Sequence, residues 1–419
     1  MNGRRLSVVH FSTAQNDGGS GRAAWRVHRG LKDLGHESRM LVGIATQQDL
    51  DVDTVHGGGL GKLKDRAAEE MTRRLSLQHL YYPSRRRVMN HPWVRGADIV
   101  QLYNTHGGYF SHRWLPALSR GAPVVWRLSD MWPLTGHCAY PGDCGRWRTG
   151  CGACPDLVTY PPLRHDTTAL LWRIKRRAYR NTDLTVVAPS TWLENIARES
   201  PLFEGCAVHR IPNGLDLDVF RPVDKAAARM VLGLEPDHRV VAFAAQVLDD
   251  NPRKGGHLLV EALARCDVGE RPPVLLLLGS DGGKLRSQVP WPVRSLGYVR
   301  DDRLLAAAYA AADVVATPSL AENLSNALLE AMACGTPPLA FDAGGTRDAV
   351  RHMENGWLSP AGDAGGLAAG LQALLDDPAL RRRLGEGARR TAEAEYGVEL
   401  QARRFADLYA GLLERRAGG

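Results

Sequence analysis

The sequence predicts an α/β protein of two Rossmann-like domains, each a doubly wound parallel sheet. Three observations carry that expectation. Short apolar runs of strand length alternate with amphipathic helical stretches, the pattern of βαβ units whose strands are covered on both faces. The alternation restarts near mid-chain. The 419 residues also exceed what one hydrophobic core usually organises.

In the first half RLSVVHFS, ESRMLVG, ADIVQLYN, APVVWRLS and DLTVVAPS read as strands, with GRAAWRVHRGLKDLG among the helices between them. The second half begins at HRVVAFAAQV and continues through PPVLLLLGS, SLGYV, ADVVATPS and TPPLAF. Between them CAVHRIPNGLDLDVFRP carries Pro, Gly and Asn turn signals and reads as the boundary. The expected domains are therefore 1–207 and 208–399. The closing stretch VELQARRFADLYAGLLERR alternates apolar and basic positions at helical spacing.

No apolar run approaches the roughly 18 residues of a membrane span, and MNGRRLSVVHFST passes straight into a strand. A cytoplasmic location is the default expectation. The formal charge of +7 is unevenly divided: 28 Lys and Arg face 18 Asp and Glu up to residue 205, against 25 and 28 beyond it. Arg73, Arg74, Arg85, Arg86 and Arg87 flank HLYYPS, and Lys175, Arg176, Arg177 and Arg180 follow ALLWRI. Basic groups mixed with Trp, Tyr and Leu suit peripheral contact with an anionic membrane or a lipid-diphosphate acceptor; ordinary solvated helix faces look the same. No reader motif for nucleic acid accompanies the charge, so none is expected as a partner.

The candidate site residues follow the chain. NDGGSGRAAWRVHRGL sets Gly18, Gly19 and Gly21 between a strand and a helix, where the backbone can approach a ligand; a plain tight turn has the same appearance. QLYNTHGGYFS brings His106 to a strand's carboxyl end, the ligand-binding edge of an open α/β sheet, although a lone histidine is more often structural. In LDDNPRKGGHLLVEAL, Arg253 and Lys254 precede a helix start, where the macrodipole disfavours a cation unless an anion neutralises it.

From residue 318 the chain reads PSLAENLSNALLEAMACGTPPLAFDAGG, a loop and helix between two strands, with Glu322 in the loop and Glu330 in the helix. Ser325 can cap the helix, whose first-turn amides suit phosphate oxygens. A carboxylate beside a diphosphate is repelled by it, so Glu322 and Glu330 suit neutral hydroxyls, as on a sugar and a ribose. Two solvated glutamates would read identically from composition.

HCAYPGDCGRWRTGCGACP places four of the seven cysteines, Cys138, Cys144, Cys151 and Cys154, within seventeen residues. The CxxC half has zinc-knuckle spacing and the wider half does not; His137 is an alternative ligand. Structural zinc, free or redox-active thiols, and disulfides all remain open. Four thiolates would fill a tetrahedron, so any metal here is structural.

The segment from 318 resembles the C-terminal signature of the retaining family 4 (group 1) glycosyltransferases, and the resemblance extends along nearly the whole chain. WRLSDMWPLTGHC is similar to the LHDMWP version of that family, in the cysteine-rich subgroup that includes exopolysaccharide and colanic acid biosynthesis glycosyltransferases; here Ser129 stands where histidine is common.

The resemblance implies the GT-B architecture, two Rossmann-like domains facing an interdomain cleft, with the last helix, 400–419, returning to the N-terminal domain. It further implies transfer of a sugar, with retention, from a nucleoside-diphosphate sugar to a glycan, lipid-linked or small-molecule hydroxyl acceptor, and no cofactor for catalysis. Residue by residue it implies that Gly19 lies beside the reaction centre, His106 contacts the donor sugar, and Asp130 meets the acceptor hydroxyl. Lys254, with Arg253 nearby, takes the diphosphate; Tyr298 and Val299 meet the base through backbone atoms; Glu322, Asn323, Leu324 and Ser325 hold the sugar and phosphates; and Glu330 holds the ribose. UDP, GDP and ADP carriers fit these residues equally. A sugar-nucleotide epimerase or phosphorylase shares the architecture, and a zinc-stabilised nucleic-acid binder or a catalytically silent scaffold are the readings from other classes.

Overall fold

The computed structural model describes residues 4–249, 251–280 and 282–418. Contacts between Cα atoms divide the chain into two units, Met1–Pro212 with Glu399–Gly419, and Asn213–Val398.

The first unit holds seven strands: β1 (Ser7–Ala14), β2 (Glu37–Ile44), β3 (Val52–Thr54), β4 (Ile99–Leu102), β5 (Val124–Arg127), β6 (Leu184–Ala188) and β7 (Ala207–Arg210). They pair in the order β3-β2-β1-β4-β5-β6-β7, every pair parallel. The second unit holds β8 (Val240–Val247), β9 (Val274–Ser280), β10 (Val293–Ser295), β11 (Val314–Thr317), β12 (Pro338–Asp342) and β13 (Trp357–Pro360). Their order is β10-β9-β8-β11-β12-β13, again all parallel. Parallel strands need helical crossovers, which cover both sheet faces and demand apolar residues on each side of every central strand. In β1, Val9 and Phe11 join one apolar cluster while Leu6, just before it, and Val8 join another; in β8, Val240 and Ala242 face one core and Val241 and Phe243 the other.

Phe405, Tyr409 and Leu412 of the terminal helix Val398–Gly418 pack with Val8, Val27 and Met40, and the Tyr409 hydroxyl bonds Gln101 Oε1 at 2.9 Å. That helix is thereby part of the first unit's core.

Several readings are corrected. SLGYV is not a strand: β10 ends at Ser295, and residues 296–299 form the loop that follows. The turn-rich segment read as the boundary contains β7 at its start. Strands β3 and β13 escaped sequence reading because they are three- and four-residue strands at sheet edges, too exposed to show an apolar run. Lys175, grouped with surface cations, is 1% exposed and lies inside the first unit.

Both sheets have a position where strand order reverses, between β1 and β4 and between β8 and β11. In open α/β sheets ligands bind beyond the carboxyl ends of strands at such switch points. Gly19 and His106 follow β1 and β4, whereas Lys254 and Glu322 follow β8 and β11.

Candidate functional site

In the second unit the site is built by close approach of two loops. After β8, Pro252–Lys254 makes one 3-10 turn, and Gly255 at φ +72° swings the chain into the helix Gly256–Arg265. A Cβ at Gly255 would lie 1.8 Å from the Pro318 carbonyl oxygen, so only glycine allows these backbones to touch. The Leu320 amide donates to the Arg253 carbonyl at 2.8 Å. On the opposite side the Gly345 amide donates to the Glu322 carbonyl at 3.0 Å, and a Cβ at Gly344, φ +59°, would lie 2.0 Å from that same oxygen. The backbone of Glu322 is therefore fixed from both sides before its side chain acts.

The Glu322 carboxylate is ion-paired with the Lys254 ammonium, and Arg253 Nη1 stands 3.5 Å away while donating to the Ala321 carbonyl at 2.6 Å. Burial pushes the Glu322 carboxyl up. The charges of Lys254 and Arg253, with hydrogen bonds from Lys254 and the Asn323 amide, outweigh it and leave the group below its ordinary value. The anion that a cation at this helix start requires is thus supplied from within the chain. Ser325 Oγ accepts from the Leu328 amide at 3.4 Å and caps the helix Asn326–Ala333, directing its positive end at the same loops. Glu330 on that helix is 2% exposed, which removes the surface-glutamate reading. Tyr298 and Val299 lie in the loop after β10; Val299 is buried, and the Arg300 guanidinium sits 5.4 Å from the centre of the Tyr298 ring.

Sequence reading missed Asn213. Its side-chain amide donates to the Leu324 carbonyl and to Asn326 Oδ1, both at 3.0 Å, bracing the turn that carries Asn323 and Ser325. The sequence marks Asn213 only as a turn residue; a partner more than a hundred positions away leaves no local trace.

In the first unit, Gly18 and Gly19 open the helix Gly18–Asp33. Ser20 Oγ lies 2.8 Å from Ser129 Oγ, which also accepts from Arg127 Nη1 at 3.3 Å, so the serine standing in the family's histidine position ties the end of β5 to the glycine loop. The structure brings His106 and Asp130 together: His106 Nε2 is 2.8 Å from Asp130 Oδ2, and Asp130 Oδ1 accepts from the Trp132 amide at 2.9 Å. The carboxylate engages Nε2, while the buried Nδ1 has no partner among the described residues. Trp132 and Tyr160 pack on the His106 ring at 5.3 and 5.4 Å between centroids. An oriented imidazole with one unsatisfied nitrogen suits recognition of a polar ligand atom.

Cys138, Cys144, Cys151 and Cys154 are all free and line one small cavity. Burial pushes the Cys138 thiol up to about 12, and raises Cys151 and Cys154 as well, so without a bound cation these groups are thiols. The two His137 nitrogens lie 2.9 Å from the Pro161 carbonyl oxygen and 3.1 Å from that of Asp156, and Nε2 is also 3.4 Å from Cys154 Sγ. Among the described residues no group of three or more His, Cys, Asp or Glu already forms a metal-holding set.

Two Rossmann-like parallel-sheet units, each with polar groups at its switch point, place this protein in the GT-B class of α/β folds. The description Glycosyltransferase Family 4 matches residues 17–219, and the description Glycosyl transferases group 1 matches residues 238–377. A D-inositol 3-phosphate glycosyltransferase 1 from Catenulispora acidiphila is 34% identical over 359 residues, covering 78% of each chain. A D-inositol 3-phosphate glycosyltransferase from Thermobispora bispora is 37% identical over 218 residues; that match spans about half of each chain, 48% of this one and 50% of the relative. The chain belongs to the family 4, group 1 glycosyltransferases. Among solved structures, sucrose-phosphate synthase from Thermosynechococcus elongatus superposes with a TM-score of 0.70 at 22% identity, covering 98% of this chain and 100% of that one. HepE from Anabaena, in complex with UDP-glucose, gives 0.67 at 19% identity over 97% and 100%. At these identities the likeness concerns the fold.

Proposed function

We propose that this protein is a retaining glycosyltransferase that moves a sugar from a nucleoside-diphosphate carrier to a hydroxyl acceptor. The observation that carries the reading is the Lys254–Glu322 ion pair at the second unit's switch point, beside the start of the helix Asn326–Ala333. An arriving diphosphate offers Lys254 a second anion, and Glu322, released from part of its pairing, accepts hydrogen bonds from the sugar hydroxyls. As the sugar–phosphate bond breaks, charge builds on the departing diphosphate where Lys254, Arg253 and the helix start are already positive, and such fixed positive groups lower the barrier. The acceptor hydroxyl attacks from the same face and gives its proton to the departing phosphate. Glu330 takes the ribose, His106 a hydroxyl of the sugar, and Asp130 the acceptor.

The HepE structures with UDP and UDP-glucose favour a uridine carrier as the first to try, and the inositol-phosphate relatives add a phosphorylated polyol to the acceptors worth assaying. Polysaccharide or lipid-linked oligosaccharide assembly is the setting that the cysteine-rich segment favours. A thermal-shift screen over nucleoside diphosphates and their sugars tests the donor half. One nucleotide is expected to raise Tm, by about 2.7 kcal/mol of stabilisation at a hundredfold excess over Kd, and Lys254→Ala to abolish the rise. No shift with any nucleoside diphosphate at millimolar concentration refutes it. Product analysis by mass then separates transfer from epimerisation or phosphorolysis.

A membrane-associated acceptor is favoured by a separate observation. No helix of the described residues is long and apolar enough to cross a membrane. The helix Gly59–Arg74, however, turns an apolar stripe outward: Leu60, Leu63 and Met71 are exposed, followed by Leu75, with Lys62, Lys64 and Arg66 around them, while Arg73 and Arg74 are paired with Glu70. Its buried residues, Asp65, Ala68 and Thr72, lie on a neighbouring face. A basic helix with that face outward suits an anionic bilayer surface. Sedimentation with vesicles containing phosphatidylglycerol should retain the protein at low salt, and Leu60→Asp/Leu63→Asp should release it. Equal sedimentation with zwitterionic vesicles, or no effect of the pair, rejects the surface.

A further inference from the structure

We infer that Cys138, Cys144, Cys151 and Cys154 bind one structural zinc ion, and that this ion fixes the segment carrying Asp130 and Trp132. Three independent features of the first unit point there.

The first is the cavity. All four cysteines border a single space of about 20 Å³, with Thr135, Gly136, His137, Arg146 and Trp147 among its walls. That is room for one water-sized guest. The sulfurs ring it without converging, and none is joined to another in a disulfide. Binding would draw the four sulfurs together, with their protons released to solvent as the thiolates form.

The second is the backbone around it. Gly150, Cys151, Gly152 and Ala153 are four successive residues at positive φ, and two of them are not glycine. This conformation aims Cys151 back at the Gly136 amide, which donates to its Sγ at 3.2 Å.

The third is charge. Lys175, from the helix Thr168–Arg180, is fully buried beneath this loop. Its ammonium donates to the carbonyls of Trp132 at 2.6 Å and Thr135 at 2.9 Å and lies 3.4 Å from the centre of the Trp132 ring, but no carboxylate bonds it. With only carbonyl and ring partners, burial pulls the Lys175 ammonium down to about 7, and an anion close by would favour its charged form. Zinc with four thiolates carries two net negative charges, which would compensate that ammonium. The sulfur-only donor set selects zinc over harder cations.

From there the contacts run to the His106 surroundings. Lys175 holds the Trp132 and Thr135 carbonyls; the Met131 amide donates to Ala139, and the Ala139 amide to Tyr160, both at 2.9 Å. Trp132 and Tyr160 are the rings that enclose His106. The four cysteines are positioning residues, and the inference stands whether or not the transferase reading holds.

Elemental analysis of the full chain, purified without chelator, tests it. About one zinc per chain is expected, with X-ray absorption showing four sulfurs near 2.3 Å. Four thiols should resist a thiol reagent until zinc is extracted. Cys144→Ser and Cys154→Ser should lose the metal, whereas Cys266→Ser should keep it. Should the serine variants fail to fold, the stoichiometry and absorption spectrum of the unaltered protein still decide. Below a tenth of a zinc per chain with all seven thiols reactive, two disulfides found by mass, or iron in place of zinc, each overturns the assignment. In the near-ultraviolet, cobalt exchange should give thiolate charge-transfer absorption, and its absence counts equally against the site.

Discussion

Lys254→Ala is expected to lower the rate of sugar transfer about 100- to 1000-fold, the loss typical when a fixed group that stabilises developing charge is removed. It also leaves the Glu322 carboxylate in a largely buried place with the Asn323 amide and, at 3.5 Å, the Arg253 guanidinium beside it. Stripping one partner from such a pair destabilises, here by about 2 kcal/mol because both side chains keep some solvent contact. The two effects separate in the double variant Lys254→Ala/Glu322→Ala, which removes both charges: stability should recover relative to the single variant while activity stays lost. The sign of the pH dependence follows from the carboxyl's direction of shift. The folded state holds Glu322 below its ordinary value, so the pair's contribution is present above the unfolded value and is lost as pH falls through the folded one. Denaturation followed from neutral pH into acid should show this loss in the unaltered chain and not in Glu322→Gln. Near-normal turnover by Lys254→Ala with the correct donor would remove the residue from the reaction.

Gly344→Ala should strongly damage the second unit. The new Cβ must avoid an oxygen 2.0 Å away while the residue sits at φ +59°, a conformation L-residues adopt at a cost of about 1–2 kcal/mol even in open space. The backbone holding Glu322 then has to move, and the expected loss is roughly 3 kcal/mol or more, accompanied by loss of the nucleotide-induced rise in Tm. Gly269→Ala is the control, since Gly269 shares the conformation at φ +62° with nothing within 4 Å of its added Cβ. It should cost about 1–2 kcal/mol and leave ligand binding unchanged. Equal losses for the two variants, or an intact nucleotide shift in Gly344→Ala, would show that close packing on Glu322 is not what forms the site.

The residues that define each loop were legible because their chemistry is local. Central strands such as β8 and β9 announce themselves as nearly continuous apolar runs, since helices cover both their faces. Edge strands do not: β3, β7 and β13 are half-exposed and three or four residues long, and their sequences carry no run to recognise. SLGYV misled for the converse reason. Val299 is buried in the core without belonging to a strand, so its apolarity reports packing and not pairing. Lys175 was grouped with its basic neighbours because sequence shows charge but not the face of the helix on which it falls.

By itself the sequence determined the α/β class, the two sheets' central strands, and the placing of His106, Lys254 and Glu322 at strand ends. These follow from hydrophobic period and from Gly, Asn and Ser at turns, which act over a few residues. Only the tertiary structure decided that Lys254 meets Glu322, that Asp130 orients His106, that Asn213 braces the Leu324 turn, and that four cysteines border one cavity. Those pairings join residues as much as 111 positions apart, and the strand order that brings them together is set by how the helices cover each sheet, a property of the whole core that no local window contains.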